Sequence, residues 1–406
     1  MWYNAGKSFS GELMVMRLRW GIALVLGFYV LVNGFAAFRG WHFMRVMARD
    51  SLRERNWRWA GRGWVLLVLL LSALPILSLL ECWPDLLPPR VLKGILLVGY
   101  DWLAGGIALC CLLLLADAVC FLLRRGGVRF EKKALRVKYG LVLFGLAVFI
   151  GVGTYLARVP GWTAYELELP GAADDTEMRA VLVSDLHLGT LIGSARLESW
   201  VAQINEKEPD VVFIAGDLLD QGLSSLGADA EACQAALSEL AAPLGVYACV
   251  GNHDLGFGSG RTETLADWLD GAGIRLLADS FVSVGGMVIA GTEYGWGRPG
   301  NGLDFLRDAP GNQPLILLDH APGRLEDYAD AGAALVLSGH THRGQIFPGN
   351  LITGRMFEPQ YGEREAGSSR IVVSSGLGTW GPMLRIGSKA ELVELTLHFA
   401  SESRTF

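Results

Sequence analysis

Five of the seven histidines in this sequence lie in a set of short motifs that also supplies aspartate and asparagine. The motifs are Ser184-Asp185-Leu186-His187, Gly216-Asp217-Leu218-Leu219-Asp220, Gly251-Asn252-His253-Asp254, Asp319-His320 and Gly339-His340-Thr341-His342. Carboxylate, amide and imidazole groups without a thiolate suit Mn, Fe, Zn or Co better than Ca. The residue types therefore predict a divalent metal site, provided that folding brings the motifs together.

Each motif follows a short apolar run that predicts a buried strand. The runs are Val181–Val183, Val211–Ile214, Val246–Val250, Leu315–Leu318 and Ala334–Ser338. In open α/β sheets, ligands bind outside the carboxyl ends of the strands, so five such ends can converge on one crevice. The sequence thus predicts a single site assembled from distant segments.

The pattern between the motifs indicates how the strands are connected. Helices are predicted at Ser194–Glu206, Ala228–Ala241 and Arg261–Asp270, and their alternation with strands favours parallel βαβ units. After Gly271 shorter strands follow one another closely, at 275–277, 287–290, 370–373 and 391–399. We expect an α/β domain with two sheets packed as a sandwich and flanked by helices.

The N-terminal part of the chain has a different composition. Of 406 residues, 51% are hydrophobic, and the charge is divided unevenly. Residues 1–159 carry 20 Lys+Arg and 8 Asp+Glu, a net charge of +12, whereas residues 160–406 carry 15 and 33, a net charge of −18. Such a division predicts a membrane region followed by a domain in water.

Four apolar runs lie in the N-terminal region, at Trp20–Phe38, Gly63–Leu80, Gly94–Leu123 and Leu141–Val159. About 20 residues suffice for a helical span, so four transmembrane helices are predicted. The resulting division is a membrane domain at 1–159, a linker at 160–178 and a catalytic domain at 179–400. Within the third run we expect Asp117 to pair with Arg124 or Arg125 rather than to have a functional role.

Basic residues predict the orientation of the helices. The loops 39–62 and 124–140 each contain seven Lys+Arg, against six on the opposite side. The protein is therefore expected in the cell membrane. Both basic loops should lie in the cytoplasm, and the domain at 179–400 should lie on the outer side of the membrane. This expectation treats the 30-residue third run as one helix, since two helices would place the domain inside.

The ordered motifs D-x-H, GD-x-x-D, GNHD, H and GHTH resemble the calcineurin-like metallophosphoesterases, in a bacterial membrane-associated or exported branch. The resemblance covers roughly residues 180 to 396 and implies a four-layer α/β/β/α sandwich with two divalent ions. It also implies one ion held by Asp185, His187 and His342, a second held by Asn252, His320 and His340, and Asp217 bridging both.

The same resemblance implies hydrolysis of a phosphate ester by a hydroxide that bridges the metal ions. His253 would contact the substrate and protonate the leaving group, and Asp220 would orient His253. A packed or helix-capping histidine is the alternative for His253, and an ordinary turn carboxylate is the alternative for Asp220. Arg343, directly after GHTH, is either a substrate phosphate ligand or a solvated arginine.

These features predict a membrane-anchored phosphodiesterase or phosphomonoesterase whose substrate is a phosphate ester, and an ester derived from a membrane lipid is one candidate. One alternative is a UDP-acyl-sugar pyrophosphatase of the lipid A type, which Arg343 favours and outward topology disfavours. Another is a binding module that keeps the fold without catalysis. Nucleic acid is not expected as a partner, because a domain of net charge −18 would repel a polyanion.

Overall fold

The structure, a computed structural model, describes residues 2–48, 54–79, 87–170, 176–256, 261–294 and 302–400. The chain divides into two compact units, Met1–Ile150 and Gly151–Phe406. The N-terminal helices are α1 (Trp2–Ala48), α2 (Glu54–Leu79), α3 (Pro89–Arg125) and α4 (Lys132–Arg158). Each contains a stretch long and apolar enough to cross a bilayer, so the predicted four membrane helices are confirmed.

The long third apolar run lies in helix α3. It is one continuous helix of 37 residues. At about 1.5 Å per residue it is roughly 55 Å long, more than a bilayer's hydrocarbon core requires. The run therefore forms one helix rather than two.

The carboxylate of Asp117 on α3 lies in a cluster of charges within the membrane unit. Arg39 of α1 contacts it through both terminal nitrogens, at 2.6 and 2.9 Å, and Lys138 of α4 donates a further hydrogen bond. The prediction that Asp117 pairs with Arg124 or Arg125 is wrong, because the neighbouring helices bring cations from distant parts of the chain closer.

The second unit is an α/β domain with two six-stranded sheets. The first has the order β1-β12-β2-β3-β4-β5 and the second the order β10-β11-β9-β8-β7-β6. The strands are β1 (Gly161–Pro170), β2 (Thr176–Val183), β3 (Val211–Ile214), β4 (Val246–Cys249), β5 (Ile274–Leu277), β6 (Ser280–Val284), β7 (Met287–Gly291), β8 (Leu315–Leu318), β9 (Ala333–Ser338), β10 (Gly362–Ala366), β11 (Ser369–Val373) and β12 (Glu391–Ala400).

Helices α5 (Ser194–Asn205), α6 (Ala230–Ser238), α7 (Thr262–Asp270) and α8 (Leu325–Asp330) cover the outer faces of the sheets, whereas α9 (Gly349–Met356) has no buried residue. Leu182 and Phe213 of the first sheet and Leu318 and Leu335 of the second belong to one fully buried core between the sheets. Tyr328 of α8 packs on the other face of the second sheet. The predicted four-layer α/β/β/α sandwich is therefore confirmed.

The segment 160–178, predicted as a linker, contains strand β1 and the start of β2. Strand β1 pairs in parallel with β12 over its whole length, from Gly161 opposite Glu391 to Pro170 opposite Ala400. Polar and apolar residues alternate along it, and Leu167 and Leu169 are buried in the core. Residues 161–170 are thus part of the sheet, whereas 171–175 lie outside the described residues.

Candidate metal centre

Every predicted metal ligand lies within a few residues of the end of a strand. Strands β2, β3, β4, β8 and β9 end at Val183, Ile214, Cys249, Leu318 and Ser338, and are followed by Asp185, Asp217, Asn252, His320 and His340. Because β2, β3 and β4 are parallel neighbours in one sheet, and β8 and β9 in the other, these ends meet at one edge of the sandwich.

The first group of side chains consists of Asp185, His187 and His342, whose potential ligand atoms lie within 4.8 Å of one another. Nε2 of His187 is 3.1 Å from Nε2 of His342, which is 3.4 Å from Oδ1 of Asp185. Two imidazole lone pairs at this distance repel unless a proton or a cation lies between them. The donors therefore fit a divalent ion.

The second group consists of Asp217, His320 and His340, again within 4.8 Å. Nδ1 of His340 is 2.8 Å from Oδ1 of Asn252 and 3.3 Å from Nε2 of His320. Oδ2 of Asp217 is 3.1 Å from Nε2 of His320 and 3.8 Å from Nε2 of His187, in the first group. Asp217 thus lies between the two groups, as a bridging ligand would.

Burial and neighbouring charges shift the pKa values of these side chains in different directions. Burial alone would lower the pKa of His320, but the neighbouring Asp217 carboxylate raises it to about 10. Burial and the positive charge of His320 lower the pKa of His340 to about 4. Burial also raises the pKa of Asp185. The cluster favours positive charge beside Asp217, which a metal cation would supply.

The backbone is held in an uncommon conformation at the same residues. Nine non-glycine residues in the described ranges have positive φ, and five are predicted ligands: Asp185 (54°), His187 (49°), Asp217 (49°), His340 (69°) and His342 (48°). This left-handed conformation costs free energy in residues with a Cβ and is concentrated at functional sites. It turns successive side chains toward one crevice.

Two motif glycines let the loops approach closely. A Cβ at Gly251 would overlap the backbone nitrogen and Oδ1 of Asp217, and a Cβ at Gly339 would overlap Oδ2 of Asp185. Substitution would therefore push two predicted ligands out of place. This explains why glycine precedes the ligands in GNHD and GHTH.

His253 and Asp220 are neighbours, but their contact differs from the expected one. Nδ1 of His253 lies 2.7 Å from the backbone oxygen of Asp220, not from its carboxylate. The carboxylate faces His187 instead, with Oδ1 3.5 Å from Nδ1. The backbone of Asp220 therefore orients His253, because the loop directs the carboxylate toward the first group.

Arg343 lies next to the site and is exposed. Its guanidinium carbon is 4.3 Å from the centre of the Tyr361 ring, an arrangement that fixes the cation above an aromatic face. A phosphate contact by Arg343 stays a prediction.

Comparison with known proteins agrees with this geometry. The family model for calcineurin-like phosphoesterases matches residues 178–344. An uncharacterized metallophosphoesterase of Aquifex aeolicus is 34% identical over 62% of this chain and 97% of its own length. The chain belongs to the calcineurin-like phosphoesterase family.

Two further matches are a transmembrane relative and a solved structure. A zebrafish (Danio rerio) transmembrane protein with a metallophosphoesterase domain is 34% identical, covering 54% of this chain and 53% of that protein. A solved 5'-nucleotidase precursor from Thermus thermophilus is 17% identical with a TM-score of 0.30, covering 54% of this chain and 55% of that one. That score carries no information about activity.

Two residues outside the predicted ligand set support the site. The carboxylate of Asp254 accepts hydrogen bonds from the backbone N–H groups of Asp217, Leu219 and Gly251, at 3.0, 2.8 and 2.6 Å. Burial and the charge of Asp217 raise the pKa of Asp254 to about 6. Asp254 thus joins the loop after β4 to the loop after β3. Its place in GNHD, next to a predicted ligand, could have indicated such a role.

Arg385 is completely buried behind His342. Its guanidinium donates to the carbonyl oxygens of Ser375, Gly376 and Gly378, and Nη2 is 3.3 Å from Nδ1 of His342. Burial lowers the pKa of Arg385 to about 10. The sequence contains Arg385 in a tail similar to the family, but no pattern within the tail relates it to His342.

Proposed function

We propose that this protein is a membrane-anchored phosphoesterase that hydrolyses a phosphodiester or phosphomonoester with two divalent ions. The observation that carries the proposal is the convergence of two ligand groups on the shared carboxylate of Asp217. Asp185, His187 and His342 would hold one ion, and Asn252, His320 and His340 the other. Bound ions would act as Lewis acids and lower the pKa of a water molecule.

The charge of the ligand set suits a phosphate ester. Two divalent ions carry four positive charges, and the carboxylates of Asp185 and Asp217 remove two of them. Asn252 is neutral and leaves the excess positive charge in place, where an aspartate would reduce it. The buried site thus attracts an anionic phosphate despite the net charge of −18 on residues 160–406.

His253 is placed to exchange a proton with the leaving group. Its Nδ1 faces the Asp220 carbonyl oxygen, which can only accept a hydrogen bond, so Nδ1 carries the proton. When the ring is the imidazolium cation, Nε2 carries a second proton and can give it to the departing oxygen. The backbone N–H of His253 also donates to Oδ1 of Asp217, at 2.8 Å, which holds the ring beside the candidate metal centre.

Metal analysis and turnover of an aryl phosphodiester by the purified full chain test the proposal. Asp217→Asn should lose most bound metal and lower turnover by at least about 10³-fold, because the shared carboxylate is removed. Asp270→Asn, at an exposed position, is the matched control. Metal-free wild-type protein without turnover would favour a non-catalytic binding module and reject the proposal.

We further propose that the phosphoesterase domain faces the exterior of the cell membrane. The excess of Lys+Arg in the loops 39–62 and 124–140 supports this orientation, and so does the single continuous helix α3. A C-terminal alkaline phosphatase fusion should be active and a C-terminal fluorescent protein that matures only in the cytoplasm should be dark. The reverse pair of results would place the domain in the cytoplasm.

A further inference from the structure

Exposed large apolar side chains are concentrated at one place on the α/β domain. Among the described residues of 160–400 there are five, each between 51% and 63% exposed: Phe347, Leu351, Ile352, Met356 and Trp380. We call these five residues the apolar rim. Elsewhere on this part of the domain, side chains of this type are buried or partly buried, so the rim is a local feature that needs its own explanation.

The rim is held firmly by polar contacts of the backbone. The side chain of Gln345 accepts a hydrogen bond from the N–H of Trp380, at 3.1 Å, and donates to the carbonyl oxygens of Trp380 and Pro382, at 3.0 Å each. The N–H of Phe347 donates to the carbonyl oxygen of Ile386 at 2.7 Å. The apolar side chains are thus presented to the outside by an ordered loop.

Helix α9, which carries three residues of the rim and lies entirely within the described chain, has no buried residue. Helices in proteins are normally stabilised by packing an apolar face against the rest of the fold. Leu351, Ile352 and Met356 have no such packing in the domain, so their apolar partner must lie outside it.

The rim borders the candidate metal centre. The ring of Trp380 is 5.7 Å from the ring of His253, measured between centroids. Phe357, directly after Met356, is 5.2 Å from the ring of His340. A molecule that contacts the rim is therefore close to His340 of the second group and to His253, the proposed proton donor.

The rim is also continuous with the end of a membrane helix. The last residues of α4, from Gly151 onward, belong to the α/β unit. The N–H of Arg385 donates to the carbonyl oxygen of Gly153 at 3.0 Å, and the N–H of Ala390 donates to that of Leu156 at 2.9 Å. Because Arg385 precedes Ile386, which bonds to Phe347, the backbones of Gly153 and Phe347 are at most roughly 17 Å apart.

Exposed apolar side chains continue along this end of α4, at Val152 (45%), Tyr155 (62%) and Val159 (49%). Two exposed arginines lie close to the rim in the chain, Arg355 on α9 and Arg343 four residues before Phe347. Aromatic and aliphatic residues interspersed with arginine are typical of surfaces that lie in the interface of a membrane.

We propose that the apolar rim inserts into the membrane interface and that the substrate is a membrane phospholipid, whose phosphate reaches the metal centre from the bilayer. This inference rests on the phosphoesterase activity proposed above. In the reaction, water adds its oxygen to phosphorus and loses a proton, the P–O ester bond of the lipid breaks, and the leaving alcohol takes up a proton from His253. The proton lost by the water restores the proton on His253.

Insertion is tested with the full chain reconstituted in vesicles of phosphatidylglycerol and phosphatidylcholine. A bimane label on Ile352→Cys should be quenched by nitroxide-bearing lipids at least about twice as strongly as a label on Ser199→Cys, which is exposed on α5. Unsubstituted protein, treated with the same label, provides the background from the native cysteines. Equal quenching at the two positions would overturn the proposal.

Substrate use is tested by comparing hydrolysis of the vesicle phospholipids with hydrolysis of a soluble aryl phosphodiester. The variant Leu351→Ser/Ile352→Ser/Met356→Ser should lower vesicle turnover at least about tenfold while soluble turnover stays within about twofold. Val128→Ser, another exposed apolar position, is the matched control. If the wild-type protein cleaves only the soluble ester, the lipid inference fails and the proposed function stands, whereas cleavage of neither rejects both.

Discussion

The membrane helices and the α/β domain each contain a cluster of charged or ionisable side chains, and the two clusters differ in how their members are stabilised. In the helices, the Asp117 carboxylate receives hydrogen bonds from two cations, Arg39 and Lys138. At the candidate metal centre, Nε2 of His187 instead faces Nε2 of His342 at 3.1 Å. The first cluster contains its own counter-charges, whereas in the second cluster the imidazole nitrogens of two histidines face one another.

This difference distinguishes a structural cluster from a binding site. A carboxylate with two cationic partners is stabilised by charge-assisted hydrogen bonds within the protein. Converging acceptor atoms are stabilised only by a proton or an ion that lies between them. Without a proton or an ion, they destabilise the fold. The left-handed backbone at Asp185 and His342 adds further cost. We therefore expect substitutions in the two clusters to have opposite consequences for stability.

Asp185→Asn should give the largest effect and the clearest contrast. Turnover should fall by at least about 10³-fold, because an anionic ligand of the first ion is lost. In chelator, however, thermal unfolding of the variant should occur at a higher temperature than in the wild type, because burial raises the pKa of Asp185 and thus disfavours its charge.

Thermal unfolding with and without Mn²⁺ measures both parts of this prediction. Mn²⁺ should stabilise wild-type protein by about 2.7 kcal/mol at 100 times its Kd, and should stabilise Asp185→Asn much less. Asp267→Asn, on the exposed face of α7, controls for loss of a carboxylate. An unchanged response of Asp185→Asn to Mn²⁺ would mean that the first group does not bind the ion.

His253→Gln should lower kcat by about 10²–10⁴-fold while metal content stays unchanged, because the residue is expected to move a proton rather than to hold an ion. Asp220→Asn is a matched comparison, since it retains the backbone oxygen that orients His253. It should weaken metal affinity by about 10–100-fold through His187 but spare kcat at saturating metal. Equal loss of metal and turnover in His253→Gln would assign it a structural role.

The parts of the molecule that could be predicted from the sequence are those that leave a local pattern in it. The ligand positions follow strand ends that are readable as apolar runs, and the four membrane helices follow from hydropathy. Strand β1 escaped prediction although polar and apolar residues alternate in it, because its partner β12 lies more than two hundred residues away in the chain. Pairing at such a distance leaves no local signal.

Side-chain directions were predicted less well than side-chain positions. The sequence places Asp220 beside His253, but only the backbone conformation of the loop decides that the carbonyl oxygen makes the contact. Similarly, Asp117 has Arg124 and Arg125 within two helical turns, yet its partners come from α1 and α4. Contacts between elements depend on packing that motifs do not encode.

Asp117→Asn should have the smallest effect, and it addresses the membrane half of the comparison. Loss of the carboxylate leaves Arg39 and Lys138 without their counter-charge, so the helices should be destabilised in detergent, by about 1 kcal/mol because the cluster is partly exposed. Arg124→Gln, an exposed position outside the cluster, should change stability little. Metal content and kcat of Asp117→Asn should match the wild type, because its charges are satisfied among the helices. A loss of bound metal would instead show that the two clusters are coupled, and the distinction between structural and ligand-binding clusters would not hold.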